Sequence, residues 1–360
     1  MKMLRMFAWC FCSFLGGAGS LLASQAKVGV LFASYGDIDA PEEAEAYVKA
    51  AILDPDIAPI PNLLRPLVAS VGWSMTGEAT KEEYRRIGGG TQYRAAARQQ
   101  AQLVVEALGK QGLSAKAYTG FVFVAPHIVE TMAQVQADGI TDLIVFNQGA
   151  QYSAVTQGIN FREVRRYLGQ HPEWKVQVTG VRSFSDDPRF VELMAQSVEA
   201  GIAQNFAQTP AEELCLLFPL HGVPSKLPEQ GDPAIPQMLR LVDAMRARFS
   251  EYPIFYGFQN HDEFPGSQWV QPKVEAVAAD MANDPRCKSV LIDGRGSFTI
   301  DNLETFYDQG VTQREILEQG NPQIKIAVSP MFNSELAFVE LMATLSREAL
   351  QGKGDLERLH

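Results

Sequence analysis

A histidine at the end of a predicted strand is the first residue that could do chemistry. His221 follows the apolar run at residues 216–220 and precedes Gly222-Val223-Pro224, a sequence that forces a turn. An imidazole held at a strand end can act as a general base near neutral pH. On its own the same pattern fits a capping or core histidine, so the distant carboxylates decide its interpretation.

Three carboxylates recur with helical spacing eighty residues further along the chain. Asp301, Glu304 and Asp308 stand at i, i+3 and i+7, which predicts that they share one face of a helix. Carboxylates in a line can conduct a hard cation or relay protons. A solvated acidic face has the same spacing, and both interpretations stay open at this point. With His221, the set predicts a site that removes protons from a ligand and handles a divalent metal.

Further loops carry groups that could hold a ligand. Residues 83–91 end a predicted helix in three glycines after Arg86, and arginine binds carboxylates in a fork while glycines let backbone amides approach an anion. The hydroxyl-rich loop with Tyr152 and Ser153 fits a carboxylate or phosphate site, or a plain helix cap. Trp269 lies in another loop, where an aromatic ring can stack on a flat ligand.

Regular alternation of strands and helices indicates an α/β protein. It predicts two Rossmann-like lobes of parallel sheet with helices on both faces and a cleft between them. Ligands bind outside the carboxyl ends of strands in such sheets, where His221 and Glu304 are predicted. The predicted strands are 28–34, 115–121, 142–147, 175–181, 213–220, 254–258, 289–292 and 324–328. The predicted helices are 41–52, 93–108, 127–138, 160–168, 188–204, 233–249, 271–282, 313–318 and 334–350.

After an N-terminal leader at residues 1–26, the chain is predicted to divide into two lobes. We place the N-terminal lobe at residues 27–180, the C-terminal lobe at 181–329, and expect a helix within 330–360 to pack back on the first lobe. The stretch 58–80, rich in Pro and Gly, is predicted to be a long irregular loop of the kind that covers or binds ligands.

Residues 1–26 have the pattern of a cleaved secretory signal. Lys2 and Arg5 precede an apolar stretch, and small residues stand near Ala26. We therefore expect a periplasmic mature chain, with an N-terminal membrane anchor as the alternative.

Charge and cysteine content narrow the partners. A net charge of -11 argues against a nucleic acid and favours small molecules and cations. Cys10 and Cys12 lie in the predicted signal. Cys215 and Cys287 lie in or beside apolar runs, which favours buried free thiols over a disulfide. No closely spaced cysteine set is present for zinc or an iron–sulfur cluster.

These pieces, in this order, resemble the ferrochelatases, the terminal enzymes of haem synthesis, over nearly all of residues 27–345. The motifs that carry the resemblance are Tyr-Arg-Arg-Ile-Gly-Gly-Gly at 84–90, Gly-Phe-Val-Phe-Val-Ala-Pro at 120–126, Ala-Gln-Tyr-Ser at 150–153, Pro-Leu-His-Gly at 219–222, Gly-Asp-Pro at 231–233 and Asp-Asn-Leu-Glu-Thr-Phe-Tyr-Asp at 301–308.

The resemblance implies a cleft that distorts protoporphyrin IX and inserts ferrous iron. His221 is then the base that accepts pyrrole protons and Glu304 its acidic partner, and both belong with Asp301 and Asp308 to the set that contacts the metal. The residues implied to bind the porphyrin are Arg86, Tyr152, Ser153, Trp269 and Phe298. Iron is a substrate, no tightly bound cofactor or iron–sulfur cluster is expected, and a peripheral membrane contact is a further option.

Three of the departures from the family's motifs bear on the predicted site. Val122 and Phe123 replace an Arg-Tyr pair, and Asn302 replaces a histidine. Iron insertion is the expected reaction because the base and main carboxylate are present. An exported enzyme that removes iron from haem, and a non-catalytic haem or tetrapyrrole-binding protein, are the alternatives.

Overall fold

The computed structural model describes residues 27–57, 60–260 and 268–360, so the predicted signal segment lies outside the described residues. The strands, in chain order, are β1 (Val28–Ser34), β2 (Ala115–Phe121), β3 (Asp142–Asn147), β4 (Gln177–Ser183), β5 (Leu214–His221), β6 (Ile254–Gln259), β7 (Ser289–Ile292), β8 (Lys325–Val328) and β9 (Asp355–Leu359). The α-helices are α1 (Ala44–Leu53), α2 (Arg65–Arg86), α3 (Tyr93–Lys110), α4 (Ile128–Ala137), α5 (Gln157–Gln170), α6 (Pro188–Phe206), α7 (Lys226–Glu229), α8 (Ala234–Arg248), α9 (Val274–Ala282), α10 (Arg314–Gly320) and α11 (Leu336–Leu350), and a π-helix spans Glu304–Gln313.

Two separate sheets confirm the predicted α/β fold class. The first has the strand order β2-β1-β3-β4-β9 and the second β6-β5-β7-β8. Strands β1 to β4 pair in parallel, as do β5 to β8. Strands β1, β3 and β5 are almost continuously apolar and buried, because helices cover both faces of such sheets. The carboxyl ends of the parallel strands therefore meet at one edge of each sheet, and segments beyond those edges bring the lobes together.

The first sheet ends in an antiparallel strand that the sequence analysis did not predict. Strand β9 pairs with β4, and Arg165 on α5 forms an ion pair with Glu357 of β9. The charged sequence of β9 lacks the apolar run that is typical of a buried strand, so the sequence alone indicates a solvated tail. Strand β4 continues to Ser183, which moves the end of the first sheet past the expected boundary at residue 180. Helix α11 packs against α3, β3 and β4 of this sheet.

The prediction of an irregular loop over residues 58–80 is wrong, because most of it belongs to the long helix α2. Pro66 stands in the first turn, where proline lacks only a hydrogen bond that the helix could not make. Gly77 is covered by the ring of Trp73, which a Cβ at residue 77 would meet at 2.6 Å. Pro66 therefore stands where this helix tolerates a proline, and Gly77 stands where it requires a glycine.

The expectation of two free thiols is also wrong. Cys215 on β5 and Cys287 just before β7 form a disulfide, with Cα atoms 5.2 Å apart. The two strands are parallel neighbours, with Cys215 opposite Val290. Both residues are buried in the same apolar cluster, so the burial was predicted correctly and the strand pairing that joins them was not.

Candidate functional site

His221 and Glu304 face each other at the carboxyl edge of the second sheet. His221 is the last residue of β5 and Glu304 is the first residue of the π-helix. Their Nε2 and Oε1 atoms lie 3.7 Å apart, and their side chains are 23% and 20% exposed. The two segments that the sequence placed eighty residues apart therefore form one partly solvated pair of base and acid.

The chain between β7 and the π-helix orients the histidine. The backbone N–H of His221 donates to Ser297 Oγ at 3.0 Å. The ring of Phe298 meets the imidazole edge to face, with centroids 5.9 Å apart. Phe298, predicted to pack on the porphyrin, thus lies against the proposed base.

The π-helix places a second carboxylate beside the first. Its hydrogen bonds run from i to i+5, which gives a wider turn than an α-helix. Asp308 accepts a hydrogen bond from Gln259 Nε2 at 3.1 Å, and Gln309 Nε2 donates to Gln259 Oε1 at 3.0 Å. Gln259 ends β6 opposite His221. Asp308 therefore lies at the next strand end from the histidine, tied there by a buried amide network that the sequence analysis missed.

Asp301 does not share the helix face of Glu304 and Asp308, and that prediction is wrong. It precedes the π-helix, and its carboxylate accepts hydrogen bonds from Asn333 Nδ2 at 2.6 Å and from the Met331 N–H at 3.3 Å. These contacts attach the loop between β8 and α11 to the segment that leads into the π-helix. Among residues 27–57, 60–260 and 268–360, no group of three or more His, Cys, Asp or Glu side chains could hold a metal ion.

Asn302 has a local structural role in place of a histidine. Its Oδ1 accepts from the Thr305 N–H at 3.2 Å, and its own N–H donates to Thr305 Oγ1 at 2.9 Å. This reciprocal pair is a helix cap, in which short polar side chains satisfy the first N–H groups of a helix. The departure at residue 302 therefore stabilises the helix that carries Glu304.

Aromatic residues of the first lobe pack together near Glu304. Phe123 packs on Tyr35 and Tyr47, with ring centroids 5.0 and 5.9 Å apart. Burial raises the pKa of both tyrosines, and Glu304 is among the carboxylates that add to each shift. Tyr35 directly follows β1, an interior strand of the first sheet, and its place at a strand end was a signal available in the sequence. Phe123 thus fills with apolar surface a place where the family motif has a tyrosine.

Arg86 is engaged at the junction of the lobes. Its guanidinium pairs with Glu315 at 2.5 Å and lies over the ring of Tyr307, 5.5 Å from the centroid. The hydrogen bond to Glu315, followed by the one to Tyr307, raises the pKa of Arg86. The side chain links the end of α2 to the π-helix and α10, apart from the His221–Glu304 pair.

Ser153 and Tyr152 are likewise bound within the protein. Ser153 Oγ donates to Asp232 Oδ2 at 2.9 Å, and this carboxylate also accepts from the Ala234 N–H that begins α8. The Tyr152 ring packs against the guanidinium of Arg182 at 4.3 Å. The structure therefore places both residues in contacts between elements of the protein.

Trp269 lies between β6 and α9. Its backbone forms a bridge with Pro224, three residues after His221, and its side chain is partly buried. The residues before it, 261–267, are outside the described part of the chain. Trp269, predicted to pack on the porphyrin, is thus held beside the loop that follows His221.

Solved chelatases have the same fold. SirB from Bacillus subtilis with Fe³⁺ superposes with a TM-score of 0.53 at 13% identity, covering 91% of this chain and 99% of that one. The sirohydrochlorin chelatase SirB from Bacillus subtilis subspecies spizizenii with cobalt gives 0.51 at 11% identity, covering 93% and 100%. The two parallel-sheet lobes therefore have a chelatase-type fold.

The particular family follows from the sequence match. The Ferrochelatase family model matches residues 27–350, and the chain belongs to that family. It is 30% identical to the ferrochelatase of Thermosynechococcus vestitus over 338 residues, 91% of this chain and 83% of that protein. It is 27% identical to the ferrochelatase of Geobacter metallireducens, covering 90% and 98%. The chain is accordingly a divergent lyase of haem biosynthesis, with iron and a porphyrin as substrates.

Proposed function

We propose that the chain inserts ferrous iron into protoporphyrin IX at the His221–Glu304 pair, after export from the cytoplasm. The observation that carries the chemistry is the 3.7 Å approach of Nε2 to Oε1 between two partly exposed side chains. Two pyrrole N–H protons must leave the porphyrin as Fe²⁺ binds its four nitrogens. Neutral His221 accepts one through its ring, and Glu304 stabilises the imidazolium that forms.

The carboxylate side of the cleft supplies the second half of the reaction. Asp308 lies one turn beyond Glu304 at the same strand edge, so the two carboxylates offer a hydrated cation oxygen ligands on its way to the porphyrin. They can also take the second proton to solvent. Aromatic contact with the flat ring is assigned to Phe298 and Trp269, with Phe123 in the first lobe.

Export is supported by the disulfide and by the leader pattern. Disulfides persist in oxidising compartments such as the periplasm and are rare in the cytosol. Cys215 and Cys287 are joined to each other, which leaves neither as a ligand for an iron–sulfur cluster. We propose a periplasmic mature chain beginning at Lys27, with no tightly bound cofactor and no nucleic-acid partner.

The decisive assay uses the chain expressed with its leader and recovered from the periplasm. N-terminal sequencing is expected to give Lys27 first. Anaerobic addition of Fe²⁺ and protoporphyrin IX should then produce haem absorbance at a rate proportional to enzyme. Haem offered to the same protein with a ferrous chelator tests the reverse reaction. Porphyrin binding without metal exchange in either direction would contradict both iron insertion and iron removal. It would favour a non-catalytic tetrapyrrole-binding protein.

We also propose that α2 and the residues before it contact a membrane surface peripherally. Leu63, Leu67, Val71 and Met75 recur every four residues and are 49–90% exposed, a continuous apolar stripe on one face. In the described part of the chain, no helix is long and apolar enough to span a bilayer. Shallow insertion of this stripe would place the cleft beside a membrane that holds a hydrophobic porphyrin.

The stripe predicts vesicle binding that depends on its side chains. Leu67→Ser/Met75→Ser is expected to weaken binding to phosphatidylcholine vesicles by about tenfold, because it removes two apolar side chains from the contact. Co-flotation with vesicles measures it. Leu336→Ser is the matched control, since Leu336 is equally exposed at the start of α11. Equal flotation of wild type and the double variant would contradict the contact.

A further inference from the structure

A buried carboxylate outside the His221–Glu304 pair joins three separate segments next to it. Asp37 lies in the loop after β1 and is only 4% exposed. Its Oδ1 accepts from Tyr84 Oη at 2.6 Å and from the Ile38 N–H at 2.7 Å. Its Oδ2 accepts from the Leu303 N–H at 3.0 Å. One side chain thus connects the β1 loop, the last turn of α2 and the entrance of the π-helix.

The hydrogen bond from the Leu303 N–H to Asp37 bears directly on the position of Glu304. Leu303 immediately precedes Glu304, and its N–H is among the first amides of the π-helix, which have no partner within the helix. A carboxylate at a helix N-terminus is favoured by the partial positive charge there. The position of Glu304 is therefore fixed from the first lobe, while His221 is fixed by the second sheet.

Helix α2 is coupled to the same helix by a second link. Tyr84 is 2% exposed and reaches Asp37 from the last turn of α2. Two residues on, Arg86 pairs with Glu315 and contacts Tyr307. The end of α2 thus holds the π-helix near its start through Asp37 and further along through Arg86. These two links tie the position of α2 to that of the helix that carries both carboxylates.

Burial makes this carboxylate costly unless its donors stay in place. Removing a carboxylate from water raises its pKa, and burial has that effect on Asp37, opposed by the hydrogen bonds from Tyr84, Ile38 and Leu303. The loss of any one donor leaves a buried carboxyl oxygen without that partner, and a buried acceptor without a donor is destabilising. The arrangement therefore resists loosening of any of the three segments.

We propose that Asp37 is a positioning residue that keeps Glu304 in register with His221 and ties that register to α2. The proposal rests on the proposed function of the pair. Asp37 does not touch the porphyrin or the metal in this scheme. It acts through the Leu303 N–H, and its loss should affect the rate of metal insertion more than the binding of porphyrin.

Asp37→Asn tests this with almost no change of shape. An asparagine keeps one acceptor oxygen, but its NH₂ group must face either the Leu303 N–H or the Ile38 N–H, and two donors repel. We expect kcat for iron insertion to fall about tenfold, with KM for protoporphyrin within about twofold, because small displacements of a catalytic group act on the reacting geometry. Hydrogen–deuterium exchange should accelerate at both residues 303–306 and residues 82–86.

Two further variants separate positioning from general stability. Tyr84→Phe removes only the α2 contact, so exchange should accelerate at residues 82–86 while the Leu303 amide stays protected. Asp39→Asn makes the same chemical change two residues along, at an exposed side chain paired with Arg94, and should behave as wild type. Unchanged Leu303 exchange in Asp37→Asn, or a kcat equal to that of Asp39→Asn, would overturn the proposal.

The two readouts also separate this inference from the proposed reaction. If wild-type protein shows no metal exchange, the proposed function fails. The exchange rates at Leu303 still decide whether Asp37 holds the π-helix: acceleration in Asp37→Asn supports the link, and protection equal to wild type removes it.

Discussion

His221→Ala is expected to lower kcat for iron insertion by about 10²–10⁴-fold, the range that a positioned general base contributes. The imidazole is the proposed acceptor of the first pyrrole proton, with Glu304 Oε1 3.7 Å from its Nε2. Its removal leaves the pyrrole protons to water while the porphyrin contacts of Phe298 and Trp269 remain. KM for protoporphyrin should therefore change little, and initial haem formation under anaerobic conditions gives both constants.

Control variants distinguish the base from a packing residue. His171→Ala removes a partly exposed histidine that stacks on Tyr167 away from the cleft, and should leave kcat unchanged. Glu304→Gln should lower kcat as well. The double variant His221→Ala/Glu304→Gln should lose much less than the product of the two single losses, because groups that act as a unit are not additive. Turnover equal to wild type in His221→Ala would remove the proposed base.

The location of the site was predictable because it depends on the parallel strands. The apolar run that ends at His221 marks a buried strand, and a parallel sheet puts every strand's carboxyl end at one edge. Glu304 could be placed at the same edge from its position after β7. Its actual approach to His221 needed the structure, since the loop at residues 293–303 sets it.

Errors arose where a local pattern has two physical outcomes. The spacing of Asp301, Glu304 and Asp308 fits an α-helix face, but the helix begins after Asp301 and is a π-helix. Periodicity of acidic residues does not reveal where a helix starts. The glycines of α2 indicated a loop, although Gly77 is needed for the close approach of Trp73. Residue type alone cannot separate a helix breaker from a packing requirement.

Long-range contacts were the other source of difference. Asp37 is one acidic residue in a loop that contains several, and only the fold brings Tyr84 and Leu303 to its two oxygens. Similarly, the hydroxyl-rich loop of Ser153 fits a ligand site, while the fold also gives this hydroxyl an acceptor in Asp232 of the other lobe. Polar residues that bridge distant segments and polar residues that bind ligands look alike in a single sequence.

Loss of the disulfide is expected to lower the free energy of unfolding by about 4 kcal/mol, because the bond closes a loop with a sequence separation of 72 residues. Cys215→Ala, Cys287→Ala and the double variant should each lose nearly this amount, since either single change breaks the same crosslink. Denaturant unfolding of the oxidised mature chain measures the three losses.

Comparison of the single variants with the double variant decides between a crosslink and two buried thiols. Two independent thiols would give single losses that add in the double variant, each set by the apolar contacts of one small side chain. A crosslink gives three equal losses, and reduction of wild type should reproduce them. Cys215 and His221 share β5, but the cysteine lies six residues below the strand end in the apolar cluster. Under native conditions kcat should therefore stay near wild type while the free energy of unfolding falls. That result would assign the disulfide to the stability of the second lobe and the proton chemistry to the carboxyl edge of its sheet.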